Sequence, residues 1–172
     1  MNIIIEQVKK NPPKDSNRVV AVESTIAGYH VFKVRPLAGM RFPLILQREK
    51  DNPVHANAVM VKSAPRDKYP KTVGDSADKD GRDIFAKEIG RCPRFLADIV
   101  SPLIDSNSIT EWRAVYTGVR MFMGRNAGGG QHLQCLYLFK AKDVNAANQL
   151  QIYLGRMHIN PFYYQANQLL IN

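Results

Sequence analysis

The side chains best suited to metal binding or nucleophilic chemistry are four histidines and two cysteines, which are scattered along the chain. Zinc sites usually contain a close ligand pair such as Cys-x-x-Cys, and no such pair occurs. No local signature marks a cysteine–histidine nucleophile either. The spacing therefore predicts no metal site, no cofactor and no catalytic site. Cys92 and Cys135, which nothing in the sequence places near each other, are predicted to be reduced core thiols.

A glycine-rich stretch at residues 124–130 is the nearest approach to a phosphate-binding loop. It lacks the Gly-Lys-Ser/Thr ending of a nucleotide-binding loop. It is instead predicted to be the tip of a β-hairpin, from which Arg125 can reach a phosphate.

The charge of the chain is strongly positive, because 24 lysines and arginines outnumber 15 acidic residues to give +9. A charge of one sign attracts polyanions over a long range, and phosphates release counterions when they bind cations. Nucleic acid is therefore the first candidate partner, and an anionic lipid or an acidic protein surface is the second. A basic charge with no specific partner is the third reading.

The elements that must position these residues are short strands and two helices. Strands rich in β-branched and aromatic residues are predicted at residues 3–8, 19–32, 41–48, 58–61, 111–123 and 131–140. In the second of these segments, Ala27 and Gly28 mark a bend or a close backbone approach. Residues 62–87 are polar and are predicted to form a long loop.

The first predicted helix carries one apolar stripe that is expected to lie entirely in the core; its members are Phe95, Leu96, Ile99, Val100, Leu103 and Ile104. Pro102 is expected to distort or end its last turn. A second helix is predicted at residues 143–157, with Asp143 as its cap and Ala147, Leu150 and Leu154 on its buried face.

Together these elements predict an α+β or all-β fold that is mostly β: a small barrel with one or two helices on it and a C-terminal helix. We predict an N-terminal strand and loop at residues 1–18 and the barrel at 19–140. A C-terminal helix and aromatic tail at 141–172 are predicted to pack on the same domain.

No stretch approaches the roughly 18 apolar residues of a membrane span, and the first residues do not resemble a signal peptide. We therefore expect a cytoplasmic or nuclear (nucleoid-associated) protein that is neither secreted nor membrane-bound. The sequence indicates no oligomeric state.

Residues 44–61 form two apolar strands around a polar centre. Asp51 and Asn52 can bond nearby backbone amides, Pro53 fixes a turn dihedral, and Asn57 can cap the return into the next strand. The centre is therefore predicted to be a structured turn.

This segment resembles the HIRAN domain, whose hallmark is an Arg-acidic pair, an Asn-Pro turn and an Asn-Ala pair between two strands. The matching pairs are Arg48-Glu49, Asn52-Pro53 and Asn57-Ala58. Two further blocks, residues 26–32 and 89–97, resemble the family's glycine-containing strands in the same order. The resemblance spans about residues 19–140 and implies an OB-like β-barrel.

The resemblance also implies a non-catalytic module that binds nucleic acid, DNA in preference to RNA, because some HIRAN domains capture the 3′ end of single-stranded DNA. The predicted nucleic-acid-binding residues are Tyr29, His30, Phe32, Arg48, His55, Arg91, Arg94 and Arg125.

The chain departs from the DNA-end-binding members at two pairs of positions. Where those members have an Arg-Tyr pair, this chain has His30 and Val31, and where they have Tyr-Asp it has Val54 and His55. An aromatic ring that stacks on a base contributes about 1–3 kcal/mol, so the departures predict a weaker grip on a strand end. They also motivate an alternative, in which a viral or accessory protein of this fold engages a DNA-processing protein instead.

Overall fold

The computed structural model describes residues 18–28, 32, 41–68, 85–123, 130–159 and 162–163. These residues form one antiparallel sheet in the spatial order β4-β3-β2-β5-β6-β1-β7. Its strands are β1 (Val19–Ile26), β2 (Phe42–Arg48), β3 (Val59–Ser63), β4 (Glu88–Arg91), β5 (Ile109–Met123), β6 (Gly130–Ala141) and β7 (Phe162–Tyr163). The helices are α1 (Arg94–Asp105), α2 (Val144–Arg156) and a short 3₁₀ turn (Arg66–Lys68).

The strands form where apolar, mostly β-branched residues can be buried, and the first half of β1 is buried on both faces. Successive side chains of a strand point to opposite sides, so β1 sends Val20 and Val22 into the main core. Val19 and Ala21 lie on the other face, in a second cluster with Leu136 and Leu138 of β6. The predicted strands within the described residues are confirmed, except that in the segment 19–32, predicted as one or two strands, the strand ends at Ile26 and Phe32 is not in a strand. The predicted strand at 3–8 lies outside the described residues.

A single backbone bridge closes the sheet into a barrel. Ala27 and Arg91 exchange two hydrogen bonds of 2.8 Å, which join the end of β1 to the end of β4. Gly28 follows at φ +70°, a conformation in which a side chain is strained, so the chain can turn away directly after the bridge. The close backbone approach predicted at Ala27-Gly28 is confirmed. The structure is thus the mostly β, OB-like barrel with helices that the sequence predicts.

The β5–β6 hairpin is also confirmed, and it contains an irregularity. The register shifts between Tyr116 and Arg120, and Gly118 lies within that shift at φ +83°. Such a bulge bends the strands and increases their twist, which helps a small sheet to curl. Of the tip predicted at residues 124–130, Gly130 is the first residue of β6, and the others lie outside the described residues.

The loop predicted at 62–87 starts later than expected, because β3 continues to Ser63 before the 3₁₀ turn begins. Ser63 donates its backbone N–H to the carbonyl of Lys87 and bonds the same residue through its hydroxyl, so the two ends of the loop meet. Residues 69–84 lie outside the described residues.

Helix α1 packs Leu96, Val100, Leu103 and Ile104 into the core, as predicted. The prediction is wrong for Phe95, whose residue surface is 43% exposed, and Ile99 is only partly buried at the edge of the core. Phe95 lies at the flank of the stripe in the first helical turn, where a contiguous apolar pattern does not reveal which residue lies outside the contact. Pro102 does not end the helix, which continues to Asp105.

Helix α2 begins at the predicted cap, where Asp143 accepts a 2.8 Å hydrogen bond from the backbone N–H of Ala146. Ala147, Leu150 and Leu154 lie in the same core cluster as the barrel strands, as predicted. Among the described residues, no helix has the length and apolarity needed to cross a membrane. The division at residues 18 and 140 stays a prediction. Of the aromatic tail, β7 pairs with Val20 and Ala21, and its remaining residues lie outside the described part.

The Asp143 cap gives a test of how α2 is anchored. Asp143→Ala removes the acceptor for the Ala146 N–H and should lower the free energy of unfolding by about 1 kcal/mol, whereas Asp143→Asn, which keeps an acceptor, should cost less. Urea unfolding followed by the fluorescence of Trp112, the single tryptophan, measures both variants. Equal losses from the two substitutions would contradict a capping role.

Candidate nucleic-acid interface

The turn between β2 and β3 is stabilised by hydrogen bonds from the side chain of Asn52 and between its own backbone groups. The Oδ1 atom of Asn52 accepts hydrogen bonds from the backbone N–H groups of Val54 and His55, each at 3.0 Å. Glu49 donates its N–H to the carbonyl of Ala58 at 2.9 Å, which closes the base of the turn. The structured turn predicted from this segment is confirmed, and it leaves Val54 exposed at its tip.

Arg48 connects this turn to the C-terminal end of α1. Its Nη1 atom donates to the carbonyls of Ala56 and Ala58 at 3.2 and 3.0 Å, and its Nη2 atom lies 2.8 Å from Oδ2 of Asp105. The guanidinium lowers the pKa of the Asp105 carboxyl through these hydrogen bonds. The side chain is only 9% exposed. These contacts favour a scaffold role for Arg48, and its predicted contact with nucleic acid stays a prediction.

His55 and Asn57 connect the same turn to the first half of α1. Both bond Oδ1 of Asp98, with Nε2 of His55 at 2.8 Å and Nδ2 of Asn57 at 2.9 Å. The pKa of Asp98 is lowered by the hydrogen bond from Asn57 and then by that from His55. The carbonyl of Asn57 accepts a 2.7 Å hydrogen bond from the hydroxyl of Ser101. The turn is therefore fixed to α1 at two places.

Arg91 carries the exposed cation at the point where the barrel closes. Its Nε and Nη2 atoms donate to the two carboxylate oxygens of Glu49 at 2.7 and 3.1 Å. This bidentate pair lowers the pKa of Glu49 and raises that of Arg91. The guanidinium carbon lies 5.5 Å from the centroid of the Phe32 ring, within cation–π range. The side chain remains 42% exposed, so part of the charge faces solvent.

The structure brings some of the predicted site residues together. Phe32 and Arg91 are in contact, and His55 and Arg94 both approach Asp98, with Nε of Arg94 3.8 Å from its Oδ2 atom. Arg94 is 78% exposed. Tyr29, His30 and Arg125 lie outside the described residues.

Two acidic residues that the sequence did not single out for the site, Glu49 and Asp98, organise the cations and the turn. Glu49 is the acidic member of the Arg-acidic pair, which was a signal for it. Asp98 lies four residues after Arg94 on the same helix face, where opposite charges approach each other. That spacing is common on helices, so it gave no sign that Asp98 also bonds His55 and Asn57 in the turn between β2 and β3.

The two buried thiols lie near the same tyrosine, although nothing in the sequence indicated that they would be close to each other. Cys92 and Cys135 are both free and buried, as predicted, and both lie against the hydroxyl of Tyr137. Burial raises the pKa of each thiol, and a protonated thiol is a poor nucleophile. Within the described ranges, no group of three His, Cys, Asp or Glu side chains could hold a metal ion.

An antiparallel barrel that closes on itself and carries a helix between β4 and β5 is an OB-like barrel. The chain belongs to the HIRAN domain family, because the family's model matches residues 19–126, more than half of the chain. No curated protein was found to match it.

Two solved structures are similar to this chain. The crystal structure of the HIRAN domain of human HLTF has a TM-score of 0.50 and 12% identity, covering 83% of this chain and 95% of that one. The NMR structure of the HLTF HIRAN domain has a TM-score of 0.47 and 13% identity, covering 81% and 89%. At such low identity the crystal structure supports the fold alone.

The contribution of the Glu49–Arg91 pair to stability can be tested through its dependence on pH. Because the pKa of Glu49 is lowered in the fold, its stabilising contribution is present above its ordinary value of 4.5 and is lost as the pH falls through the folded value. Glu49→Gln should therefore lower the free energy of unfolding by about 0.5–1 kcal/mol near neutral pH and by less near pH 3. Urea unfolding at both pH values measures the difference.

Asp51→Asn is the matched control, since it removes the same charge from the exposed part of the same turn. A loss at Glu49→Gln that does not depend on pH, or one no larger than the loss at Asp51→Asn, would contradict a stabilising ion pair.

Proposed function

We propose that this protein is a non-catalytic module that binds nucleic acid, and DNA in preference to RNA. The observation that carries the proposal is the half-exposed guanidinium of Arg91, held against Phe32 at the closure of a HIRAN barrel. The chain belongs to the HIRAN domain family, and membership of that family supports a DNA-binding activity. The net charge of +9 supports a polyanionic partner.

The geometry of Arg91 suits a phosphate. Glu49 takes the Nε and Nη2 atoms, and no described residue bonds Nη1, so one edge of the guanidinium is presented in a fixed orientation. A fixed guanidinium loses little conformational entropy when it forms a charge-assisted hydrogen bond. Phe32 lies beneath it and can offer part of its ring to a base. One backbone phosphate and an adjacent base would therefore meet a cation and a ring together.

A second contact follows from α1. Arg94 begins the helix three residues after Arg91, and its side chain is mostly exposed while Asp98 approaches it from behind. Arg94 can meet the next phosphate of a strand that already contacts Arg91. His55, which belongs to the turn between β2 and β3, holds its ring against Asp98 of the same helix and limits how far that strand can move toward the turn.

Single-stranded DNA and DNA ends are the proposed ligands, because a strand with accessible bases can use both the ring and the cations. The proposed location is inside the cell, in the cytoplasm or in the nucleus or nucleoid, in agreement with the two free thiols. The proposed absence of catalysis is supported by the burial of those thiols.

Arg91→Ala tests the cation directly. It should weaken binding to single-stranded DNA by about fivefold to thirtyfold, and it should lower the slope of log K against log salt by about 0.7, the share of one phosphate contact. Arg113→Ala is the charge-matched control, because Arg113 is an exposed arginine on β5 and lies outside the proposed site. Fluorescence anisotropy of a labelled oligonucleotide at two salt concentrations measures both.

Glu49→Gln distinguishes the contribution of the Arg91 charge to binding from the contribution of the ion pair to the fold. It weakens the same ion pair from the other side but leaves the guanidinium in place, so it should keep or strengthen binding. If Glu49→Gln weakens binding as much as Arg91→Ala, the Glu49–Arg91 pair supports binding only by stabilising the fold, and Arg91 does not contact the phosphate. If Arg91→Ala and Arg113→Ala bind equally well, the site is elsewhere. The same titration with duplex DNA and with 3′-blocked single strands tests the preference for strands and for ends.

A further inference from the structure

A groove of about 670 Å³ lies between α1 and α2, at the edge of the apolar stripe of α1, because Ile99 and Leu103 of that stripe line it. Its α1 wall includes Ile99 and Pro102, and its α2 wall includes Tyr153, Arg156 and Met157. This volume is within the range of sites that take drug-sized ligands or a few side chains of a peptide. None of these residues belongs to the proposed nucleic-acid contact.

The groove is apolar and accessible. Ile99 and Pro102 are three residues apart, a spacing that places them on one face of α1. Met157 across the groove is 53% exposed. Large apolar groups that are exposed together, with polar groups at the rim, are typical of interaction sites.

Of the two charged side chains that line the groove, Arg156 is the one whose charge is available to a ligand. Asp98 also lines it, but its carboxylate accepts from Asn57 and His55 and lies near Arg94. Arg156 is exposed, and its guanidinium carbon lies 5.8 Å from the centroid of the Tyr153 ring. None of the ion pairs found among the described residues includes Arg156. An occupant with a carboxylate beside apolar side chains complements both features.

We propose that this groove docks a short amphipathic helix of a partner protein, whose apolar face lies between α1 and α2 and whose Glu or Asp pairs with Arg156. A groove between two helices, with no strand edge in its lining, fits a helix better than an extended peptide. This docking does not depend on the proposed function, because it uses neither Arg91 nor Phe32. It gives the module a second surface, so that a partner and a nucleic acid can be held on the same small domain.

The test uses the full chain and two synthetic helical peptides. Both carry leucines at positions i, i+4 and i+7, and they differ in having glutamates or lysines beside them. Fluorescence anisotropy should show saturable binding of the glutamate peptide and binding at least about tenfold weaker of the lysine peptide. Arg156→Glu should weaken the glutamate peptide by at least about tenfold and strengthen the lysine peptide.

Arg113→Glu is the control for net charge, and it should change glutamate-peptide binding by less than about twofold, because Arg113 lies outside the groove. Met157→Ser tests the apolar contact without altering charge and should also weaken the glutamate peptide. Circular dichroism confirms that each variant is folded, and Arg156→Gln replaces Arg156→Glu if the reversed charge disturbs the end of α2.

Equal effects of Arg156→Glu and Arg113→Glu would overturn the proposal, because attraction to net charge alone would then explain the binding. Equal binding of the two peptides to the wild type would overturn it too. Sedimentation equilibrium tests whether a second copy of this chain occupies the groove instead. If the protein forms a dimer that Met157→Ser dissociates, a second copy fills the groove, and the proposal of a partner helix is rejected.

Discussion

The two hydrogen bonds between Ala27 and Arg91 are the constraint on which the rest of the structure depends. Without them, β1 and β4 would be distant parts of an open sheet, with unpaired backbone groups at their ends. With them, the sheet curls, and the residue that closes it is also the residue that presents the candidate cation. The backbone of Arg91 belongs to the fold and its side chain belongs to the surface, so the position of the guanidinium is set by the barrel itself.

The turn beside this closure is rigid for a related reason. Arg48 connects it to Asp105 at one end of α1, and Asp98 holds His55 and Asn57 nearer to the other. Each contact alone is a partly exposed polar interaction of modest strength. Together they fix a segment that has few apolar anchors of its own. The Asn-Pro hallmark of the family therefore shapes a turn whose orientation depends on charges in a helix about 40 positions later.

Much of the fold could be predicted because it depends on local patterns. The β-branched residues of β1, the stripe of α1 and the Asp143 cap are all contained in a few consecutive residues. Phe95 could not be placed, since a helix has more apolar residues than its contact covers, and only the neighbouring elements decide which one remains outside.

The candidate site was predictable only in part. Arg91 and Phe32 were identified by resemblance, but Glu49 as the partner of Arg91, and Asp98 as the partner of His55, depend on side chains brought together by the fold. The same is true of Cys92 and Cys135, which share the hydroxyl of Tyr137 although nothing in their spacing indicates it. Sequence alone does not reveal that Arg48 bonds the carbonyls of Ala56 and Ala58 and the carboxylate of Asp105, because these partners are also brought to it by the fold.

The pairing of β1 with β6 has a consequence for how the protein is made. The hydroxyl of Tyr137 donates to the carbonyl of Thr25, a residue 112 positions earlier, and the residues of β1 pair with residues 107 to 121 positions later. The β5–β6 hairpin and α1 are local and can form quickly, but β1 must wait for its partner. During synthesis, the apolar residues of β1 leave the ribosome well before β6 exists. The nascent chain therefore carries an unpaired apolar strand until β6 has been synthesised, and this interval is when a chaperone would matter most.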